Sequence, residues 1–193
     1  MPDGGPDLAR TSSDQLVTLP NLITFARLCA VPLAFWLVID RRPGAAFALF
    51  LAAGVSDAID GWLARRMGGA SQVGALIDPV ADKALLVTMF ITLAAVNEMP
   101  SWLAILVVFR DAVIVGGVLV LGLLGRAVVI RPLFVSKANT ALQIMLVALT
   151  LFMAGYGGRG GWVTPVLDAL TWAVAASTLA SGAAYVWRAA RGG

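Results

Sequence analysis

Apolar residues along this chain gather into runs of roughly twenty, each closed by a short cluster of Gly, Pro, Asn or charged residues. A helix needs about 20 mainly apolar residues to cross a bilayer. Six runs approach or meet that length: Leu22–Ile39, Ala45–Leu63, Gly74–Val96, Trp102–Leu124, Leu133–Gly155 and Val163–Trp187. The breaks carry the residues that stop and restart helices. They are Asp40-Arg41-Arg42-Pro43-Gly44, Arg65-Arg66-Met67-Gly68-Gly69, Asn97-Glu98-Met99-Pro100, Gly125-Arg126 and Tyr156-Gly157-Gly158-Arg159-Gly160-Gly161. The pattern predicts an all-α fold: an integral membrane bundle of six transmembrane helices forming one domain over residues 1–193, with residues 1–20 as a cytoplasmic or juxtamembrane tail. Met1 to Thr18 is polar and lacks a basic stretch leading into a short apolar core, so it does not read as a cleaved signal peptide.

Composition narrows the class. Of 193 residues, 60% are hydrophobic and 13% charged, and the mean hydropathy is +0.88. Soluble domains run at about 45–50% apolar and about 25% charged. A soluble enzyme, a disordered tail and a nucleic-acid-binding module are therefore not expected. Histidine is absent and Cys29 is the single cysteine, so chemistry based on His, a thiolate metal cluster or an internal disulfide is excluded. What remains is carboxylates, Lys and Arg, hydroxyls and hard cations. In the connections and tails, Arg10, Arg65, Arg66, Arg126, Arg131, Arg188 and Arg191 fall on the side shared by both termini, and Arg41, Arg42 and Arg159 on the other. That asymmetry places both termini in the cytoplasm, with Arg41-Arg42 as a dissenting pair.

Charge inside the runs is the informative anomaly. A charge at the bilayer centre costs at least ~2.5–3.5 kcal/mol on insertion scales, yet Arg27, Asp57, Asp60, Asp78, Asp82, Lys83, Arg110, Asp111 and Lys137 all lie within them. Some of these have plain structural readings: Lys83 paired with Asp78 or Asp82, and Arg110-Asp111 as part of an internal ion-pair network. The four first-named aspartates are too short to reach far toward water. Asp57 and Asp60 are i,i+3 near the end of the second run, and Asp78 and Asp82 are i,i+4 near the start of the third. Each pair thus shares a helix face, and the short connection brings both to one membrane surface. Four converging carboxylates in low dielectric need cations to stay ionised together. All-oxygen ligation suits Mg²⁺ or Mn²⁺. Nearby, Gly61 and Ala64 leave room for a ligand, and Arg65 supplies a planar cation suited to phosphate. Metal, arginine and a gap at headgroup depth point to a lipid-linked diphosphate.

The run Asp57-x2-Asp60-Gly61-x2-Ala64-Arg65-x8-Gly74-x3-Asp78-x3-Asp82 resembles, without a gap, the signature of the CDP-alcohol phosphatidyltransferases, eight fixed positions over 26 residues. The resemblance implies transfer of a phosphatidyl group from CDP-diacylglycerol to an alcohol with release of CMP. It implies two divalent ions, Mg²⁺ or Mn²⁺, held by Asp57, Asp60, Asp78 and Asp82, with Asp82 also the proton acceptor. It further implies contacts to CDP-diacylglycerol from Asn21, Leu22, Ile23, Thr24, Gly61, Ala64, Arg65, Ser71 and Gly74, and a homodimer. Within the family, Arg110-Asp111, Ile130-Arg131-Pro132 and Ser136-Lys137-x-Asn139-Thr140-x2-Gln143 resemble the eukaryotic-type cardiolipin synthases, whose acceptor is phosphatidylglycerol. Arg110, Arg131 and Lys137 are then the candidates for the acceptor's phosphodiester.

Three alternatives stand beside this expectation. A phosphatidylglycerophosphate synthase would take glycerol 3-phosphate; such enzymes more usually carry Arg-Glu where Arg110-Asp111 stands. A membrane prenyltransferase also holds Mg²⁺–diphosphate on aspartate pairs, but with more spans and Asn-Asp-x2-Asp-like motifs, which this sequence lacks. A small ion transporter would use the aspartates as a path and release no CMP. The expected setting is a bacterial inner membrane with the site facing the cytoplasm, and no nucleic-acid partner. On this reading Asp57→Ala and Asp78→Ala each abolish CMP release at unchanged expression. EDTA does the same, with recovery on adding Mg²⁺ or Mn²⁺; wild-type turnover in either variant, or in chelated protein, removes the four-aspartate metal site.

Overall fold

The computed structural model describes residues 19–67, 72–123, 134–157, 161 and 163–190. These form α1 (Leu19–Ile39), α2 (Pro43–Met67), α3 (Gln72–Ala95), α4 (Ser101–Leu123), α5 (Phe134–Phe152), a π-helical turn over Met153–Gly157, and α6 (Val163–Ala190). There is no strand among the described residues. Each of the six predicted runs is a helix. Residues 1–18, the predicted tail, lie outside the described residues.

Helix ends form as the local chemistry requires. At the end of α1 the Arg41 amide donates to the Val38 carbonyl and the Arg42 amide to Leu37, at 3.1 and 2.9 Å. This 5→2 and 6→1 pair is a Schellman cap. The end of α3 repeats it, with Asn97 donating to Ala94 and Glu98 to Leu93 at 3.1 and 2.8 Å. Both caps need a left-handed residue, and the positions are Arg41 (φ 58°) and Asn97 (φ 61°) rather than glycine. Gly44 stands instead in the first turn of α2, after Pro43, whose missing N–H costs nothing at a helix start. The dissenting Arg41-Arg42 pair is partly explained: Arg42 is paired with Asp40 at 2.7 Å and lies over the Trp36 ring at 5.8 Å.

The helices close into a ring. α1 packs on α2 and α3, α3 on α4, α4 on α6, α6 on α5 and α5 on α2, while α3 and α5 also touch across the middle. α2 and α3, the carriers of the two aspartate pairs, are therefore held by the same two neighbours, α1 and α5. The core is built mainly from Ala34, Phe50, Met89, Phe90, Leu93, Leu103, Val107, Leu146, Val147, Leu151 and Val174. On four helices it ends at one level. Going toward the aspartate end, Leu85 gives way to Lys83, Val107 to Arg110 and Asp111, Leu146 to Gln143 and Asn139, and Ala175 to Thr178 and Ser181.

At the other end the chain approaches itself closely. A Cβ on Gly155, in the π-helical turn, would lie 2.7 Å from the backbone N and Cα of Gly44. Phe47, Phe152 and Tyr156 pack around this contact, with ring centroids 5.3 to 6.4 Å apart.

Outward faces are apolar. Ile105, Phe109 and Trp172 are each about two-thirds exposed, and Trp36, Val55, Met145, Leu179 and Trp187 are also open. So much uncovered apolar surface marks contact with lipid or protein. By length and composition, Val135–Gly157 and Val163–Trp187 can cross a membrane, and shorter apolar stretches occupy Leu28–Ile39, Pro43–Asp57 and Lys83–Ala95.

Gly155→Ala should destabilise the fold by about 1–3 kcal/mol, the range for forcing atoms into a filled space, because the backbone of Gly44 cannot move aside as a side chain would. Gly54→Ala, with nothing within 4 Å of the added carbon, should be neutral or stabilising. Thermal unfolding of detergent-solubilised protein compares the two.

Candidate active site

The polar level is organised by one carboxylate. Asp111 on α4 receives Lys83 Nζ from α3 on Oδ2 at 2.6 Å and Arg110 Nη1 on Oδ1 at 2.8 Å. Arg110 directs Nε to Ser181 Oγ on α6 at 2.9 Å and Nη2 to Ser136 Oγ on α5 at 3.0 Å. Ser181 passes its own proton to the Thr178 carbonyl at 3.1 Å. Four helices are thereby tied through two adjacent residues of α4. Gly182 lies against this cluster, a Cβ there falling 3.6 Å from Arg110 Cγ. Arg110 and Asp111 are buried, while the Lys83 side chain is 39% exposed.

One turn deeper into α5, Asn139 continues the level. Its Oδ1 accepts from Ser177 Oγ and Thr178 Oγ1 at 2.8 and 2.9 Å. Asn139 Nδ2 and Gln143 Nε2, both fully buried, have no hydrogen-bond partner among the described residues. Two other buried hydroxyls are satisfied within their helices: Thr92 donates to the Thr88 carbonyl at 2.6 Å and Thr150 to Leu146 at 2.8 Å.

The sequence-based site residues divide by how far the structure describes them. α2 carries Asp57, Asp60, Gly61, Ala64 and Arg65; α3 carries Gly74, Asp78 and Asp82; the first turns of α1 carry Asn21, Leu22, Ile23 and Thr24. Of these only Asp57 has its side chain among the described residues, where it is half-buried near the C-terminal half of α2. Ser71 and Arg131 lie outside the described residues altogether, as does the Arg27 side chain. Among the described residues no three acidic, His or Cys side chains cluster. The candidate ligands that the sequence places on α2 and α3 are all carboxylates, a donor type that suits a hard divalent ion.

Of the acceptor candidates, Arg110 forms the internal ion-pair network that the sequence also allowed, each of its nitrogens engaged. Lys137, beside Ser136 at the start of α5, is exposed. For Lys83 the described partner is Asp111, 28 residues away on α4; the side chains of Asp78 and Asp82, the partners read from the sequence, lie outside the described residues. Ser177, Thr178 and Ser181 escaped sequence reasoning, which took α6 for a plain apolar span. Their i, i+1, i+4 spacing was the available signal, since hydroxyls grouped on one side of an apolar helix bond a neighbouring helix. A separate cavity of about 420 Å³ opens at the other end of the bundle, lined by residues that include Glu98, Ser101, Thr150, Thr164 and Asp168. It is remote from the aspartate motif.

Long apolar helices with open outer faces, joined around a polar, charge-bearing level, suit a bundle in contact with lipid. Residues 17–181 match the CDP-alcohol phosphatidyltransferase family model. The chain belongs to that family. It is 33% identical over 190 residues to a chloroplastic CDP-diacylglycerol–glycerol-3-phosphate 3-phosphatidyltransferase of Oryza sativa, covering 89% of this chain and 57% of that protein. With a cardiolipin synthase/mitochondrial hydrolase fusion protein of Schizosaccharomyces pombe it shares 34% identity, covering 92% of this chain and 32% of the other. With the cardiolipin synthase (CMP-forming) of Streptomyces coelicolor the identity is 31%, over 90% of this chain and 83% of that one. The chain thus spans about half of the rice protein and a third of the yeast fusion.

Asp111→Ala should cost about 3–5 kcal/mol of stability, the usual penalty for stranding a buried charge, because Arg110 then has no anion among its described neighbours. Thermal unfolding checks this. A loss below about 1 kcal/mol would show that the Arg110 charge is compensated elsewhere.

Proposed function

We propose that the chain is a cardiolipin synthase that transfers the phosphatidyl group of CDP-diacylglycerol to phosphatidylglycerol and releases CMP. In this reading all six helices cross a bacterial inner membrane and the site faces the cytoplasm, in a homodimer. The observation that carries it is the similarity to the Streptomyces coelicolor cardiolipin synthase over nine-tenths of this chain and most of that protein. The resemblance of Arg110-Asp111 and Ser136 to Gln143 to cardiolipin synthases supports the same choice. The rice relative favours a second reading, a phosphatidylglycerophosphate synthase with glycerol 3-phosphate as acceptor.

The residues perform the proposed reaction as follows. Asp57, Asp60, Asp78 and Asp82 would hold two divalent ions, Mg²⁺ or Mn²⁺, which when bound neutralise the diphosphate and the charge developing on it. Asn21 to Thr24, Gly61, Ala64, Arg65, Ser71 and Gly74 bind the CDP-diacylglycerol. Asp82 takes the proton from the acceptor's glycerol hydroxyl. That oxygen forms a bond to the phosphorus bearing diacylglycerol, the bond from that phosphorus to the CMP oxygen breaks, and CMP leaves with the electron pair. Lys137, exposed beside the network, attracts the acceptor's phosphodiester. Arg110, already committed to Asp111, Ser136 and Ser181, serves this reading by fixing α4, α5 and α6 around the acceptor.

Purified protein supplied with CDP-diacylglycerol and separate acceptors, with lipid products resolved by mass, tests the assignment. Cardiolipin from phosphatidylglycerol is expected. Phosphatidylglycerophosphate from glycerol 3-phosphate alone would replace the first reading with the second. Asp82→Asn keeps side-chain size and one metal-binding oxygen but cannot take the proton. It should lose about 10²–10⁴ in rate, the range for removing a general base, while retaining CDP binding measured by calorimetry. Loss of CDP binding as complete as in Asp57→Ala would make Asp82 chiefly a metal ligand.

A further inference from the structure

Two cations share one carboxylate in the polar level. Arg110 and Lys83 both bind Asp111, which leaves one positive charge in excess among the described side chains of the cluster. The two cations differ in what they have left to offer. Arg110 is 6% exposed, with Nε, Nη1 and Nη2 each engaged. Lys83 has three N–H donors, of which one goes to Asp111, and its side chain is 39% exposed. The excess charge therefore has one outlet, the open face of the Lys83 ammonium. A cation held next to a low-dielectric interior, with unused donors, is a site for an anion.

Its position selects which anion. Asp111 draws Lys83 toward α4, on the side of α3 where Ser136 and Ser181 complete the network and where the start of α5 adds the exposed Lys137. The first aspartate pair is on α2, which is not among the helices joined by this network. Lys83 also follows Asp82 directly in the chain, and consecutive Cα atoms are about 3.8 Å apart. An anion at Lys83 thus lies close to the residue assigned as proton acceptor, on the α4 side.

We propose that Lys83 contacts the phosphate group of the acceptor substrate and that Asp111 is its positioning residue, holding the ammonium in place. This rests on the transferase reading above, with either acceptor, because phosphatidylglycerol and glycerol 3-phosphate both present an anionic phosphate. The competing source of the same chemistry is the diphosphate of CDP-diacylglycerol.

The test uses the full chain in nanodiscs, measuring CMP release while acceptor and CDP-diacylglycerol are varied separately, and CDP binding with Mg²⁺ by calorimetry. Lys83→Met should raise KM for the acceptor about tenfold or more, the size of a charge-assisted hydrogen bond. KM for CDP-diacylglycerol and the affinity for CDP should stay within about twofold. Lys83→Arg, which keeps the charge, should recover part of the loss; Lys83→Gln repeats the measurement if the Met variant elutes as aggregate. Asp111→Asn should raise acceptor KM as well, and the double variant with Lys83→Met should be no worse than the single one, since both act on one contact. An increase confined to CDP-diacylglycerol KM would place Lys83 on the donor and overturn the proposal. So would a fall in kcat with both KM values unmoved, or wild-type kinetics in Lys83→Met. If the wild type uses glycerol 3-phosphate and not phosphatidylglycerol, the cardiolipin reading fails and the Lys83 assignment is decided by the same shift in glycerol 3-phosphate KM. Absence of CMP release with either acceptor would overturn both.

Discussion

A single buried carboxylate, that of Asp111, governs how the aspartate-bearing end of this bundle is put together. Its two oxygens are 2.6 and 2.8 Å from the cations of Lys83 and Arg110. In a medium poor in water neither cation is stable alone, and the pair of contacts is favourable only if the remaining donors of Arg110 are also satisfied. Ser136 and Ser181 satisfy them. Relative positions of α3, α4, α5 and α6 are thereby limited to those in which five polar side chains converge, a far stricter condition than the fit of one apolar face on another.

The apolar core and this polar level divide the labour. Met89, Phe90, Leu93, Leu103, Val107, Leu146, Leu151 and Val174 pack the half of the bundle nearest the α3–α4 connection, and dispersion among them sets the separation of the helices. Between lipid-immersed helices the hydrophobic effect gives little further preference for one partner over another. Specific pairing falls to close backbone approach, as between Gly44 and Gly155, and to hydrogen bonds such as those from Ser177 and Thr178 to Asn139. The motif on α2 and α3 is attached to this frame through α1 and α5, which both helices touch.

Much of this was legible in the sequence because the bilayer imposes a simple rule. Backbone polar groups in hydrocarbon must be paired internally, so long apolar runs between polar breaks were read as helices, and each of the six contains one. The motif from Asp57 to Asp82 was legible for a related reason: carboxylates are so costly in an apolar run that their presence and spacing carry chemical meaning. The stops after α1 and α3 fall where the sequence put them, with Arg41 and Asn97 in the left-handed position, while α2 runs on through Arg65 and Arg66 to Met67.

The tertiary structure decided what depends on which helices are neighbours. Sequence distance offered Lys83 only near neighbours, and ring closure brought it Asp111 from α4. Arg110 read as a residue for the substrate, yet it is consumed by Asp111, Ser136 and Ser181, which lie on three helices and have no sequence relation to one another. Ser177, Thr178 and Ser181 looked incidental in an apolar helix until α5 and α4 were seen to pack on it. Periodicity and the cost of burying charge act within a helix and are written locally. A buried ion network is a property of several helices at once, because each member is stable only when partners from distant parts of the chain arrive at the same level.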